Sequence, residues 1–215
     1  MKNIFIILCV MSISIACSQQ EKEDPSTKEN NDYLKKGGWK LVWEDDFNRD
    51  DIFATKIWSK ISGCPKSDAD WCKTMSQDPS LFEIKNGNLI LLGKPSADPA
   101  KDKSKYITGG VSTKDKKYFE KGRLEIRCKL EATQGAWPAI WMVPNATWPT
   151  GGEIDIVERL NYEPFVHHTV HSTYTKAGNK TPKSTATAPI NPDDYNIYAV
   201  ELDTDELRFY VNGKQ

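Results

Sequence analysis

Charge of one sign is what this sequence has least of: 29 Lys and Arg stand against 30 Asp and Glu over 215 residues. No Lys/Arg cluster carries interleaved aromatics, so nothing favours nucleic acid, and an uncharged partner fits better. Histidine is scarce too. The three in the chain lie far from the cysteines, and no second Cys pair accompanies them, which argues against a zinc centre. From Trp39 onward no stretch sustains a 3.6-residue apolar period, which argues against a helical fold. No internal repeat is evident.

The N-terminus has no apolar run of spanning length. Ile4 to Val10 falls short of the ~20 residues a membrane helix needs, and Ser12 and Ser14 break any extension toward Cys17. With Lys2 before it and small residues from Ser12 to Ala16 after it, residues 1–16 read as a signal peptide. Ser14-Ile15-Ala16-Cys17 is similar to a bacterial lipobox with Ser14 in the place usual for Leu, so Cys17 is a candidate for lipidation. The alternative is an ordinary signal peptide holding a chance Cys. Residues 17–36 are polar and patternless before Tyr33, and read as a flexible tether. Residues 37–215 are enough for one domain with a sizeable core. Of the five cysteines, Cys9 leaves with the signal. Cys64 and Cys72 flank a polar loop and could close a disulfide in an oxidising compartment, whereas Cys128 reads as a buried thiol in a strand.

Short runs rich in Val, Ile, Tyr, Phe and Trp alternate with Gly, Pro, Asn and Asp clusters throughout the domain. Strands are predicted at Lys40 to Glu44, Leu81 to Lys85, Asn88 to Gly93, Gly109 to Thr113, Gly122 to Leu130, Ala136 to Val143, Glu153 to Arg159, His167 to Tyr174, Tyr195 to Leu202 and Glu206 to Val211. Asn86-Gly87 signals a tight hairpin. Such a set favours an all-β sandwich or jelly roll of two sheets. One sheet can then curve into a groove lined by every second residue of its strands.

Gly152-Glu153-Ile154-Asp155-Ile156-Val157-Glu158 carries three carboxylates. By simple alternation Glu153 and Asp155 share a face with Val157, and Glu158 points the other way. A one-residue β-bulge between Asp155 and Glu158 would bring all three acids to the groove. Paired carboxyls about 5 to 5.5 Å apart suit double displacement at a glycosidic bond. Asp155 is expected to disfavour ionisation of a neighbour, keeping one glutamate protonated near neutral pH, and to hydrogen-bond the other. The alternative is a solvated acidic strand face. Just before the motif, Trp137 and Trp141 share a strand face on which pyranose rings could stack; core packing is the competing reading.

Trp-Pro-Ala-Ile-Trp-Met (137 to 142) followed by the Glu153–Glu158 motif resembles glycoside hydrolase family 16. Further likeness lies in Leu-Val-Trp-Glu-Asp-Asp-Phe (41 to 47), Gly-Arg-Leu-Glu-Ile-Arg (122 to 127), Thr-Val-His-Ser (169 to 172) and Tyr-Asn-Ile-Tyr-Ala-Val-Glu (195 to 201). The resemblance implies a concanavalin-like β-jelly roll of two antiparallel sheets. It implies Glu153 as nucleophile, Asp155 as its assistant and Glu158 as acid/base, with Trp137, Trp141 and His171 toward the sugar. His171 would share the groove face with Thr169 and Thr173. Arg123 and Glu125 read as a cross-strand charge pair.

The implied reaction is retaining endo-hydrolysis of β-1,3 or mixed β-1,3/1,4 glucans. An endo-β-galactosidase acting on galactans or O-glycans is one alternative, and a non-catalytic glycan-binding lipoprotein another. No cofactor is required for this chemistry. A structural Ca²⁺ is implied, with one acid near Trp43–Phe47 and a second near a C-terminal segment that is not visible. The expected partners are a β-linked poly- or oligosaccharide and a membrane reached through the lipid anchor, at the outer membrane or cell surface, with the protein a monomer. Because the chain stops at Gln215, where the resemblance expects further strands, the domain is expected to be C-terminally incomplete, with an unpaired edge.

Overall fold

Short alternating segments become strands wherever one of their faces finds an apolar partner. In the structure, a computed structural model, residues 39–63, 69–102, 104–131, 133–179, 181 and 183–215 are described. The signal segment, Cys17, the tether and Cys64 lie outside them. The strands are β1 Ser59–Lys60, β2 Phe82–Lys85, β3 Asn88–Leu91, β4 Gly93–Pro95, β5 Tyr106–Thr108, β6 Val111–Ser112 and β7 Gly122–Cys128. They continue with β8 Ala139–Met142, β9 Glu153–Glu158, β10 Phe165–His171, β11 Thr185–Pro189, β12 Asn196–Leu202 and β13 Leu207–Val211. Among the described residues three short α-helices, α1 Asp70–Thr74, α2 Pro99–Asp102 and α3 Thr173–Lys176, and a 3-10 turn at Pro79–Leu81 intervene.

A four-stranded antiparallel sheet in the order β11-β10-β9-β8 faces a three-stranded one in the order β13-β12-β7. The core between them joins Ile156, Val157 and Val166 to Ile126, Cys128, Tyr198, Val200 and Val211. Burying each aliphatic side chain there contributes ~1.5–3 kcal/mol. This is the all-β jelly-roll sandwich expected from the patterning. On β7 the alternation is direct: Leu124, Ile126 and Cys128 turn to the core, while Arg123 and Glu125 lie on the other face, where Arg123 pairs with Glu125 at 2.8 Å and Glu201 at 2.8 Å. Its cross-strand partner is therefore Glu201, on β12, and Glu125 is its neighbour along the same strand.

A second cluster, Phe47, Ile52, Met75, Leu89 and Leu91, packs on the opposite side of β8, against Trp137 and Trp141. It brings the β2–β3 hairpin and the segment from residue 43 onward against the edge of the groove sheet. The hairpin turn falls on Asn86 and Gly87, with φ of 52° and 67°, as the Asn-Gly signal requires.

Several local expectations give way. Lys40 to Glu44 forms no strand. Tyr174 and Thr173, expected to continue β10, sit in α3, where Ser172 accepts from Thr175 N and Thr175 returns the bond in a capping box. A cap of this kind ends the strand, because it satisfies the helix's first amides. Thr173 therefore leaves the groove face. The polar β11, too rich in Thr and Ala to show an apolar period, pairs along β10 over Thr185–Pro189. Its partner strand, not its own composition, makes it β.

Candidate active site

The central strand β9 carries one residue more than either neighbour. Against β10, Glu158 lies opposite His167 and Asp155 opposite Thr169, so three steps on β9 match two on β10. Against β8, Val157 lies opposite Ile140 and Asp155 opposite Trp141. The extra residue sits at Ile156–Val157, and both of these side chains are 0% exposed in the core. Two consecutive core-facing residues are what a bulge produces. Glu153, Asp155 and Glu158 therefore share the face away from the core, together with Trp141, Thr169 and His171 in register across the sheet.

Donors hold the two glutamates. Trp137 Nε1 donates to Glu158 Oε1 at 2.8 Å, and Thr169 Oγ1 donates to Glu158 Oε2 at 3.2 Å. Trp148 Nε1 donates to Glu153 Oε2 at 2.6 Å. Between them Asp155 hydrogen-bonds Glu153, and His171 Nε2 lies 3.2 Å from Asp155 Oδ2.

Asp155 is 4% exposed. Its burial, then the charges of Glu158 and Glu153 and the hydrogen bond to Glu153, push its pKa up to about 8, with the Lys176 ammonium pulling the other way. Asp155 thus favours its protonated form near neutral pH, where the sequence-based expectation had it negatively charged. The most buried of three acids is the one whose charge is hardest to solvate. A protonated Asp155 can donate to Glu153.

The tryptophans combine the two roles the sequence left open. Both are half-buried and pack on the second cluster; Trp141 also meets Trp71 edge to face at 5.5 Å. Trp137 at the same time turns its indole N–H to Glu158. Sequence reasoning missed Trp148, 50% exposed in the loop before β9, with the Lys176 ammonium 4.9 Å over its ring. An aromatic in a Pro- and Gly-rich stretch beside a catalytic-type motif was the available signal. Gly152, with φ 85°, makes the turn from that loop into Glu153.

His167, opposite Glu158, pairs with Glu163 at 2.8 Å. Cys72 is disulfide-bonded; Cys64, its predicted partner, lies outside the described residues. Cys128 is buried and keeps its thiol. Of the acids of the 43–47 segment, Asp45 and Asp46 are already partnered. Both Asp45 oxygens are taken by Arg49 at 2.6 Å, with Trp58 Nε1 also at 2.6 Å, and Asp46 binds Asn48. Among the described residues no group of three or more His, Cys, Asp or Glu is placed to hold a metal ion.

Three comparisons with known proteins bear on this arrangement. A family model described as the XgeA-like, catalytic GH16 domain matches residues 101–206. A keratan-sulfate endo-1,4-beta-galactosidase from Sphingobacterium multivorum is 32% identical over 180 residues, 81% of this chain and 42% of the relative. A beta-glucanase from Rhodothermus marinus is 30% identical over 185 residues, 81% of this chain and 63% of the relative. The chain thus spans less than two thirds of the length of either. Among solved structures, the laminarinase from Flavobacterium sp. UMI-01 superposes with a TM-score of 0.68 at 29% identity, covering 81% of this chain and 75% of that one.

Proposed function

The chain belongs to glycoside hydrolase family 16, and from that premise we propose that it cleaves internal β-1,3 or mixed β-1,3/1,4 linkages of β-glucans with retention of configuration. The observation that carries the reading is the bulge in β9, which puts Glu153, Asp155 and Glu158 on one face of the groove sheet. In the first step the Glu153 carboxylate attacks the anomeric carbon while Glu158 gives its proton to the departing glycosidic oxygen. In the second, Glu158 takes a proton from water, the water oxygen bonds to the anomeric carbon, and Glu153 departs as carboxylate. Asp155 keeps its proton throughout and holds Glu153 by the shared hydrogen bond, while Trp137 and Thr169 orient Glu158.

The test is reducing-end release from laminarin and barley glucan. Glu153→Gln and Glu158→Gln should each abolish turnover while leaving binding largely intact; undiminished turnover in either defeats the proposal. A second reading, endo-hydrolysis of a β-galactan or a charged O-glycan, draws support from the 32% identical galactosidase and from the exposed Lys176 ammonium above Trp148. A product screen across laminarin, mixed-linkage glucan, agarose, keratan sulfate and mucin glycans separates the two. A purely glycan-binding role would not need three converging acids. Lipidation at Cys17 and placement at the outer membrane or cell surface belong to the same proposal and rest on the pattern of residues 1–36. Cys17→Ser should release the protein from the membrane fraction.

A further inference from the structure

The bulge that aligns the carboxylates creates a backbone problem of its own. Ile156 has a Cα partner in neither neighbouring register, yet its side chain is 0% exposed. A buried carbonyl at such a place must find a donor. His168 Nδ1 lies 2.6 Å from the Ile156 oxygen. A carbonyl oxygen only accepts, so Nδ1 carries the hydrogen. His168 is itself 4% exposed. It sits on the core side of β10, opposite Ala186 of β11, and its ring stacks on Phe209 of β13 at 5.0 Å and 24°. One imidazole therefore runs from the bulge in the groove sheet to a strand of the facing sheet. Burial holds its pKa below the ordinary histidine value, which keeps the ring neutral.

We infer that His168 is a positioning residue for the carboxylate site: its Nδ1–H satisfies the bulge carbonyl and so locks the offset that puts Glu158 on the face of Glu153 and Asp155. The physical stake is the side-chain period of two, since a one-residue slip of β9 beyond the bulge would turn Glu158 toward the core. Its neighbour Thr169, facing the groove, donates to Glu158 from the same strand, so β10 grips the motif strand from both faces. The inference rests on the reading of these acids as catalytic, and it assigns His168 no contact with substrate.

His168→Phe and His168→Asn separate the parts of this role. Phe keeps an apolar ring against Phe209 without the donor, and Asn keeps an N–H near the place of Nδ1. The Phe variant should lose kcat by about 10²-fold, the scale of a 1 Å misplacement, with KM little changed and the pH profile displaced. The Asn variant should recover most of kcat and the profile. A folded Phe variant with the kcat and pH profile of the parent overturns the inference, as does a folded Asn variant no faster than Phe. If Phe does not fold, a folded and active Asn variant sustains it. Two unfolded variants also overturn it, because the residue would then serve only core stability. Should Glu153→Gln and Glu158→Gln prove fully active, it is the catalytic reading that fails. His168 is then judged without substrate, by whether Phe shifts and Asn restores the pH dependence of unfolding set by Asp155.

Discussion

Replacing Asp155 by Asn removes the group whose protonation the site forces. Its pKa rises from 3.8 in the free side chain to about 8 in the folded protein. Between those values the folded chain holds a proton that the unfolded chain has released, so stability is fullest below the lower value, falls as pH rises, and levels off above the higher one. At ~1.4 kcal/mol per unit the shift is on the order of 5 kcal/mol. That is comparable with the ~5–15 kcal/mol of a whole domain, which is why the proton stays. Because Glu153 and Glu158 share the field, the slope belongs to the cluster rather than to one residue. Asn preserves the shape and cannot titrate. Urea unfolding of parent and variant from about pH 4.5 to about pH 9 should show the parent losing several kcal/mol relative to the variant across the window. In thermal melts the relative drop should be roughly 10 °C, at ~2–4 °C per kcal/mol. Asp45, held below its ordinary value despite its burial by Arg49, Trp58 and Phe47, and the buried neutral His168 act on the acid side in both proteins and cancel in the difference. Parallel curves for the two proteins would refute the placement of the proton.

Activity should track the same group, with kcat/KM declining as pH passes about 8, where Asp155 stops donating to Glu153; a profile flat through that region speaks against it. Deleting Ile156 alone restores plain alternation with all three acids on one face, so reducing-end assays should still detect turnover; deleting Ile156 and Val157 together turns the second glutamate to the core and should abolish it. Ile156→Ala, at a site with 0% exposure, should cost about 2–4 kcal/mol in denaturant unfolding. Trp137→Phe removes the N–H that reaches Glu158 and should lower kcat, the lost bond itself accounting for about 1 kcal/mol of stability. A Phe variant as fast as the parent would show that the indole donor has no part in turnover.

The β class was legible because alternation is local: the predicted Gly122 to Leu130 and Tyr195 to Leu202 contain β7 and β12, which pair along their whole length. The hairpin was legible because Asn86 and Gly87 suit positive φ. The bulge could be argued from spacing alone, since Glu158 reaches the face of Glu153 and Asp155 in no other way. Trp148 and His168 were not legible as parts of the site. One reaches Glu153 from a loop and the other reaches the bulge from the core side of the neighbouring strand, and neither contact leaves a period in the sequence. Thr173 failed for the opposite reason, because a side-chain cap one residue earlier outcompeted the strand.

By itself, then, the sequence determined which three acids meet, that their spacing requires a bulge to bring them to one face, and that two tryptophans stand beside them. All of this comes from residue identity and the two-residue period of a strand. Only the tertiary structure decided which acid is hardest to ionise and which side chain meets the bulge carbonyl. Both depend on burial, and burial is set by the whole sandwich: Asp155 is enclosed between Glu153 and Glu158, and His168 is enclosed between two sheets.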